Sequence, residues 1–243
     1  MATNPSTALL AAARRLRQNV ERLNFGAPVV HVYNPLVYAW PAYELYLRTY
    51  ASRHKRVVFV GMNPGPFGMV QTGIPFGEIN AVRKWLRIEA TFDLPASQHP
   101  RRPILGFDCR RSEVSGLRLW GLFAKRFATP ERFFAEHLVL NYCPLAFLER
   151  SGRNLTPNRL PDSERAPLLR ACDEHLTETI KALRPEWVIG IGQFAFHRAQ
   201  EALQGGSIRL GQILHPSPAN PMANRNWPAY VSQQLIALGV WVD

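Results

Sequence analysis

The run Val57-Val-Phe-Val60 carries no polar interruption and passes straight into Gly61-Met-Asn-Pro-Gly-Pro-Phe-Gly68. A continuous apolar run this short is consistent with a strand covered on both faces, as in a parallel sheet with helices above and below it. Its end in glycine and proline means that the chain leaves the sheet through a stiffened loop. The pattern returns at His137-Leu-Val-Leu-Asn141, at Trp187-Val-Ile-Gly-Ile-Gly192, and over Ile208 to Leu214 ahead of His215-Pro-Ser-Pro-Ala-Asn-Pro221.

Helical periodicities fill the intervals. Leu9, Ala13, Leu16, Val20 and Leu23 share one face, and Tyr43, Leu47 and Tyr50 follow Pro41, so residues of about 6–53 read as a helical segment. Glu78 to Glu89 reads as a helix leaving the first loop. A longer one carries Leu169, Cys172, Leu176, Ile180 and Leu183 behind a cap at Asp162 or Ser163. Gln193 to Leu203 and Pro228 to Leu238 complete the set. The alternation predicts an α/β fold, three-layer α/β/α with a mostly parallel central sheet of about four strands, in a single domain over residues 1–243. In open α/β sheets ligands sit beyond the carboxyl ends of the strands, where this chain delivers Asn63, Asn141, Gln193 and His215.

The chain is 47% apolar with six Trp, which excludes a disordered protein. No apolar run approaches the ~20 residues of a membrane span, and the arginines follow the Ala8 to Ala13 stretch, the reverse of a signal peptide. The expectation is a soluble monomer of the cytoplasm, on the nucleoid in a bacterium or in the nucleus in a eukaryote, without a membrane partner. Cys109, Cys143 and Cys172 form no C-x-x-C pair, so zinc-ribbon and four-cysteine iron–sulfur sites are excluded and buried thiols expected. The net charge of +11, with clusters at Arg53-His-Lys-Arg56, His99-Pro-Arg-Arg102 and Arg110-Arg111, points to a polyanionic partner.

Several chemistries fail. Gly190-Ile-Gly192 lacks the third glycine of a dinucleotide fingerprint, the first loop has no Gly-Lys-Ser/Thr ending, and neither H-E-x-x-H nor G-x-S-x-G occurs. No metal and no cofactor is expected. The two motif loops offer an amide and an imidazole with no carboxylate. An amide is no base at neutral pH, but it can hold a water. Such a pair suits a bond that breaks early, with a weakly activated water capturing a cation-like centre and histidine stabilising the leaving group.

At GMNPGPFGMVQTGIPFGE (61–78), LGFDCRRSEVSGLRLWG (105–121), NYCPLAF (141–147) and HPSPANPMANRNW (215–227) the chain resembles the uracil-DNA glycosylase superfamily, specifically its single-strand-selective monofunctional family. The resemblance implies a uracil-DNA glycosylase-like fold and a base-excision repair enzyme that releases uracil from single- and double-stranded DNA, leaving an abasic site. 5-Hydroxymethyluracil and deaminated purines remain open as substrates. It implies that Asn63 positions the attacking water, that His215 stabilises the uracil anion, that Asn141 reads the base edge, and that Phe76 stacks on the flipped base. The backbone at Met62 and Gly65 would line the pocket, glycine leaving room near C5. The segment from Pro216 through Ser217, Pro218, Ala219, Asn220 and Pro221 to Trp227 would enter the duplex. Ala219 stands where some members have arginine, with Arg225 nearby to compensate. No lysine lies in the motif loops, in keeping with monofunctional action. The rival reading is a silent nucleic-acid-binding protein.

Overall fold

All four apolar runs form strands in the computed structural model, which describes residues 4–242. They are β2 (Val57–Gly61), β3 (His137–Asn141), β6 (Trp187–Ile191) and β7 (Arg209–Ile213), hydrogen-bonded in the order β3-β2-β6-β7 and parallel throughout. Around them the chain adds α1 (Pro5–Glu21), β1 (Val29–Tyr33), α2 (Pro35–Tyr38), α3 (Trp40–Tyr50), α4 (Met69–Thr72), α5 (Val114–Phe127), α6 (Pro130–Phe134), β4 (Ala146–Glu149), β5 (Asn154–Leu155), α7 (Asp162–Leu183), α8 (Gln193–Ala202) and α9 (Ala223–Ala237).

Successive strand residues face opposite sides of the sheet, and two neighbouring glycine-bearing positions show what covers each side. Gly190 of β6 meets the backbone of Phe196 in α8. Gly211 of β7, paired with Ile189, instead meets Leu238 just after α9. Phe59, in the same row as Ile189, packs its ring against Phe123 of α5 and Phe133 of α6. One layer therefore holds α5, α6 and α9, and the other holds α8 with α7 and α1 beyond it. This is the expected three-layer α/β/α arrangement. No helix among the described residues is long and apolar enough to cross a membrane.

Three local expectations need correction. The stretch 6–53 is not wholly helical: β1 lies within it and pairs antiparallel with β4, which pairs with β5 in a second, three-stranded sheet. The helix over 78–89 shrinks to a π-turn at Ala81–Trp85, because Leu86 N–H reaches back to Ala81 and Arg87 turns left-handed at φ 51°. Asp162 and Ser163 do not cap α7; Pro161 occupies that position and Asp162 pairs with Arg165. The last helix is present from Pro228 as expected; α9 adds before it a short opening turn from Ala223, separated by a break in the dihedrals at Asn226, whose side chain accepts from Ala229 N–H. The three cysteines are free and buried.

Candidate active site at the strand ends

β2 is flanked by β3 on one side and β6 on the other, so the connections diverge at its carboxyl end and leave a crevice there. A cavity of about 240 Å³ opens at that point, lined by Met62, Asn63, Gly65, Phe76, Asn141 and His215. All six sequence-predicted residues for catalysis and base binding thus meet in one pocket. Gln193 does not join them; it is exposed at the start of α8, its amide directed to His197.

The orientation of each polar group is set by its partner. Asn63 donates from Nδ2 to the Leu145 carbonyl at 3.1 Å, which leaves Oδ1 as an acceptor. Asn141 sets Nδ2 against the Met69 sulfur at 3.3 Å, while its Oδ1 is buried with no hydrogen-bond partner. An orphaned buried acceptor is costly unless something with an N–H or O–H completes it. His215 accepts the Ser217 backbone N–H on Nδ1 at 3.1 Å, so in the neutral ring the proton sits on Nε2. Burial pushes the His215 pKa down to about 4 and thus keeps the ring neutral at physiological pH. The carbonyls of Met62 and Gly65 are taken by the N–H groups of Cys143 and of Gly68 and Val70.

Phe76 sits at φ 53°, a region that costs an L-residue roughly 1–2 kcal/mol. Its carbonyl is held by Trp120 Nε1–H at 3.0 Å and Glu78 N–H at 2.7 Å, over a Gly116 that has no Cβ to obstruct it. The Phe76 ring lies 6.2 Å from that of His215. The arrangement offers a neutral donor, an orphan acceptor, a second acceptor and an aromatic wall within one small cavity.

Four further residues of the lining escaped sequence reading: Glu113, Ser115, Asn154 and Thr156. Glu113 contributes the carboxylate that the motif loops lack. Its oxygens accept the N–H groups of Ser115 and Gly116 at the start of α5, and its side chain packs beneath Gly65 and Gly68. Burial pushes its pKa up, against the pull of those two amides. Asn154 of β5 ties the pocket to the first loop by donating to Pro64 O at 3.1 Å, and Thr156 lies beside it. The only sequence signal for Glu113 was its place before a helix, where glutamate is not the usual cap.

Ser217 and Pro218 reach the pocket wall, and Pro218 and Ala219 are exposed. The segment Pro216 to Trp227 is not a single loop, since α9 begins within it and places Arg225, exposed, on its opening turn. Arg118 of α5 ties the loop together, donating to Pro216 O and to Asn224 Oδ1, both at 2.9 Å. Asn224 in turn donates to Pro218 O, and Asn220 Oδ1 accepts from Met222 N–H. Met222, the large apolar side chain of this loop, is half exposed.

Comparison with known proteins bears on the reading. The family model described as uracil DNA glycosylase superfamily matches residues 48–238. The single-strand selective monofunctional uracil-DNA glycosylase of Rattus norvegicus is 45% identical over 228 residues, covering 93% of this chain and 82% of the relative. The Bos taurus protein of that name is 44% identical, covering 93% of this chain and 84% of its own. Among solved structures, wild-type SMUG2 of Pedobacter heparinus superposes with a TM-score of 0.64 at 15% identity, over 94% of this chain and 97% of that one. At that identity it supports the fold alone.

Proposed function

This chain belongs to the single-strand selective monofunctional family of the uracil DNA glycosylase superfamily, and from that premise we propose that it hydrolyses the N-glycosidic bond of uracil in DNA, leaving an intact strand with an abasic site. The observation that carries the reading is the polarity of the three polar side chains: acceptor at Asn63, acceptor at Asn141, donor at His215.

Extruding a nucleotide from a duplex costs a few kcal/mol, less where the base is mispaired or the strand single. Once in the pocket the base stacks on Phe76. Asn141 Oδ1 accepts from its N3–H. Cytosine presents a lone pair at N3, which would face that oxygen acceptor to acceptor, so it is rejected by leaving buried groups unpaired. As the bond to C1′ lengthens, negative charge moves onto the base, and the neutral His215 Nε2–H donates to O2. This stabilises the departing anion without a proton transfer. The sugar becomes cation-like and needs only a weak nucleophile, a water whose proton Asn63 Oδ1 accepts in a hydrogen bond. The bond breaks before the water attacks; the captured water then loses one proton to solvent, and the released uracil anion takes one up, so the products are a neutral abasic hemiacetal and neutral uracil.

End-labelled oligonucleotides with one uracil test the reading. After incubation the strand should stay whole without alkali and break at the uracil with it. Asn63→Ala and His215→Leu should each lower the single-turnover rate by roughly 10²–10³, the scale for removing one such group. Full activity in both folded variants would falsify the role assignments; survival of uracil strands with the wild type would leave a silent binder.

A further inference from the structure

Among the described residues nine arginines stand in ion pairs with carboxylates, on α1, α3, α7 and α8 and along residues 56–87. Among the described residues Arg101, Arg102, Arg110 and Arg111 join none of these pairs. The fold brings two of them, Arg102 and Arg111, to one aromatic ring on the first motif loop. His99 bonds the Glu149 carbonyl at 3.0 Å, and the Arg101 and Arg102 side chains pack over Gly152, which turns left-handed at φ 78°. Gln71, behind the first motif loop, fixes the next residues by donating to Pro103 O and accepting from Leu105 N–H. Arg111 precedes the pocket residue Glu113 by two positions.

Phe67, two positions after the pocket residue Gly65, receives both segments. The Arg102 guanidinium carbon lies 5.3 Å from its ring centroid and that of Arg111 4.5 Å from it. Two cations share one ring, with no carboxylate in an ion pair with either. Bringing like charges together in this way is unfavourable until an anion joins them. A guanidinium already laid on an aromatic face loses little freedom on binding, and its planar fork matches phosphate oxygens.

We propose that Arg102 and Arg111, seated on Phe67, form a clamp for one DNA phosphodiester flanking the extruded nucleotide. The clamp rests on the glycosylase reading for its ligand, DNA, but not on the chemistry of base release. It sits on the lip made by the first motif loop, apart from the Pro216–Met222 loop that faces the base stack. Its role is to fix where along the strand the nucleotide enters the pocket.

The test is binding of a single-stranded oligonucleotide bearing one 2′-fluoro-2′-deoxyuridine, whose fluorine suppresses bond cleavage. Neutral methylphosphonate linkages are placed one at a time around it. One or two positions should weaken wild-type binding by about tenfold at low salt. In the Arg102→Ala/Arg111→Ala variant the fully charged strand should bind that much more weakly, and those positions should no longer matter. The dependence of log K on log salt should flatten by about 0.7 for each phosphate that the protein no longer neutralises. Arg101→Ala/Arg110→Ala, which removes equal charge next door, should leave the positional pattern in place. A double variant that keeps the wild-type pattern overturns the clamp, as does an equal effect from both pairs, which would mean diffuse attraction only. Uracil release is read separately on deoxyuridine strands. If the wild type releases none while the positional pattern holds, the glycosylase reading fails and the clamp stands.

Discussion

A Cβ built on Gly61 would lie 2.4 Å from the Phe76 ring and 2.6 Å from Asn141 Oδ1, far inside contact distance. The last residue of β2 is therefore glycine so that the aromatic wall and the base-reading amide can close over the strand end. Gly61→Ala should displace both while the sheet survives. Since base–aromatic stacking is worth about 1–3 kcal/mol, the single-turnover Kd should rise by about fivefold to a hundredfold with an unaltered circular dichroism spectrum. Wild-type binding in the variant would sink this account of the glycine. His215 gives a second residue-level expectation. With its pKa near 4, the ring stays the neutral Nε2–H donor down to well below pH 6. The single-turnover rate should thus be level from about pH 5.5 to 8 and fall only as protonation of Nδ1 breaks the bond from Ser217 N–H. An inflection near 6.5 that disappears in His215→Gln would contradict it.

Elements built on one strong local signal were legible in the sequence. β2, β3 and β6 are uninterrupted or nearly uninterrupted apolar runs, the edge strand β7 carries polar Arg209 and Gln212 among its apolar residues, and α1 and α7 keep a regular buried face. Elements made by long-range pairing were not. β5 is two residues long and exists because it completes the edge of β4, yet it delivers Asn154 to the pocket. The predicted helix over 78–89 is capped at its start, where Glu78 accepts from Ala81 N–H, but it ends early because Leu86 N–H bonds Ala81 O in a π-turn and Arg87 turns left-handed, which no local signal announced. Glu113 was invisible for a related reason: it reaches the site from the start of α5 through the gap left by Gly65 and Gly68. The link between α5 and the Pro216–Met222 loop is of the same kind, and it carries a prediction. Arg118 closes that loop against α9 through Pro216 and Asn224. Arg118→Ala should loosen it, slowing uracil release from duplex DNA several-fold more than from single strands, where no base stack has to be entered. Equal slowing on both substrates would place Arg118 in general DNA attraction instead.

Across the molecule, three histidines are held neutral by burial. His137 lies between the sheet and the α5–α6 layer, His175 lies on α7, and His215 lies at the pocket, each with its pKa lowered to about 4. His137 shows why. Its Nδ1–H donates to Phe133 O while Nε2 accepts from Trp241 Nε1–H, so a second proton would set two donors against each other. Nearby Arg56 and Lys55 disfavour the cation further, and Glu136 only partly opposes them. In the unfolded chain each histidine titrates near 6.5, so between pH 6.5 and 4 the unfolded state binds protons that the folded state refuses. Stability is therefore full above pH 6.5 and drains away as pH falls toward 4. For a fully buried group the loss is on the order of 3 kcal/mol. Glu113 and Asp173, whose carboxyls burial pushes up, work in the opposite direction. Because those two carboxyls contribute equally to wild type and to a variant lacking one histidine, the histidine slope is read as the difference between the two proteins between pH 6.5 and 5. Urea unfolding across that interval should show stability decreasing steadily with acid. Removing one contributor by His175→Gln should reduce the slope by up to one proton, about 1.4 kcal/mol per pH unit. A variant with the wild-type slope would mean that His175 charges inside the fold, and that its packing between α1 and α7 tolerates the cation.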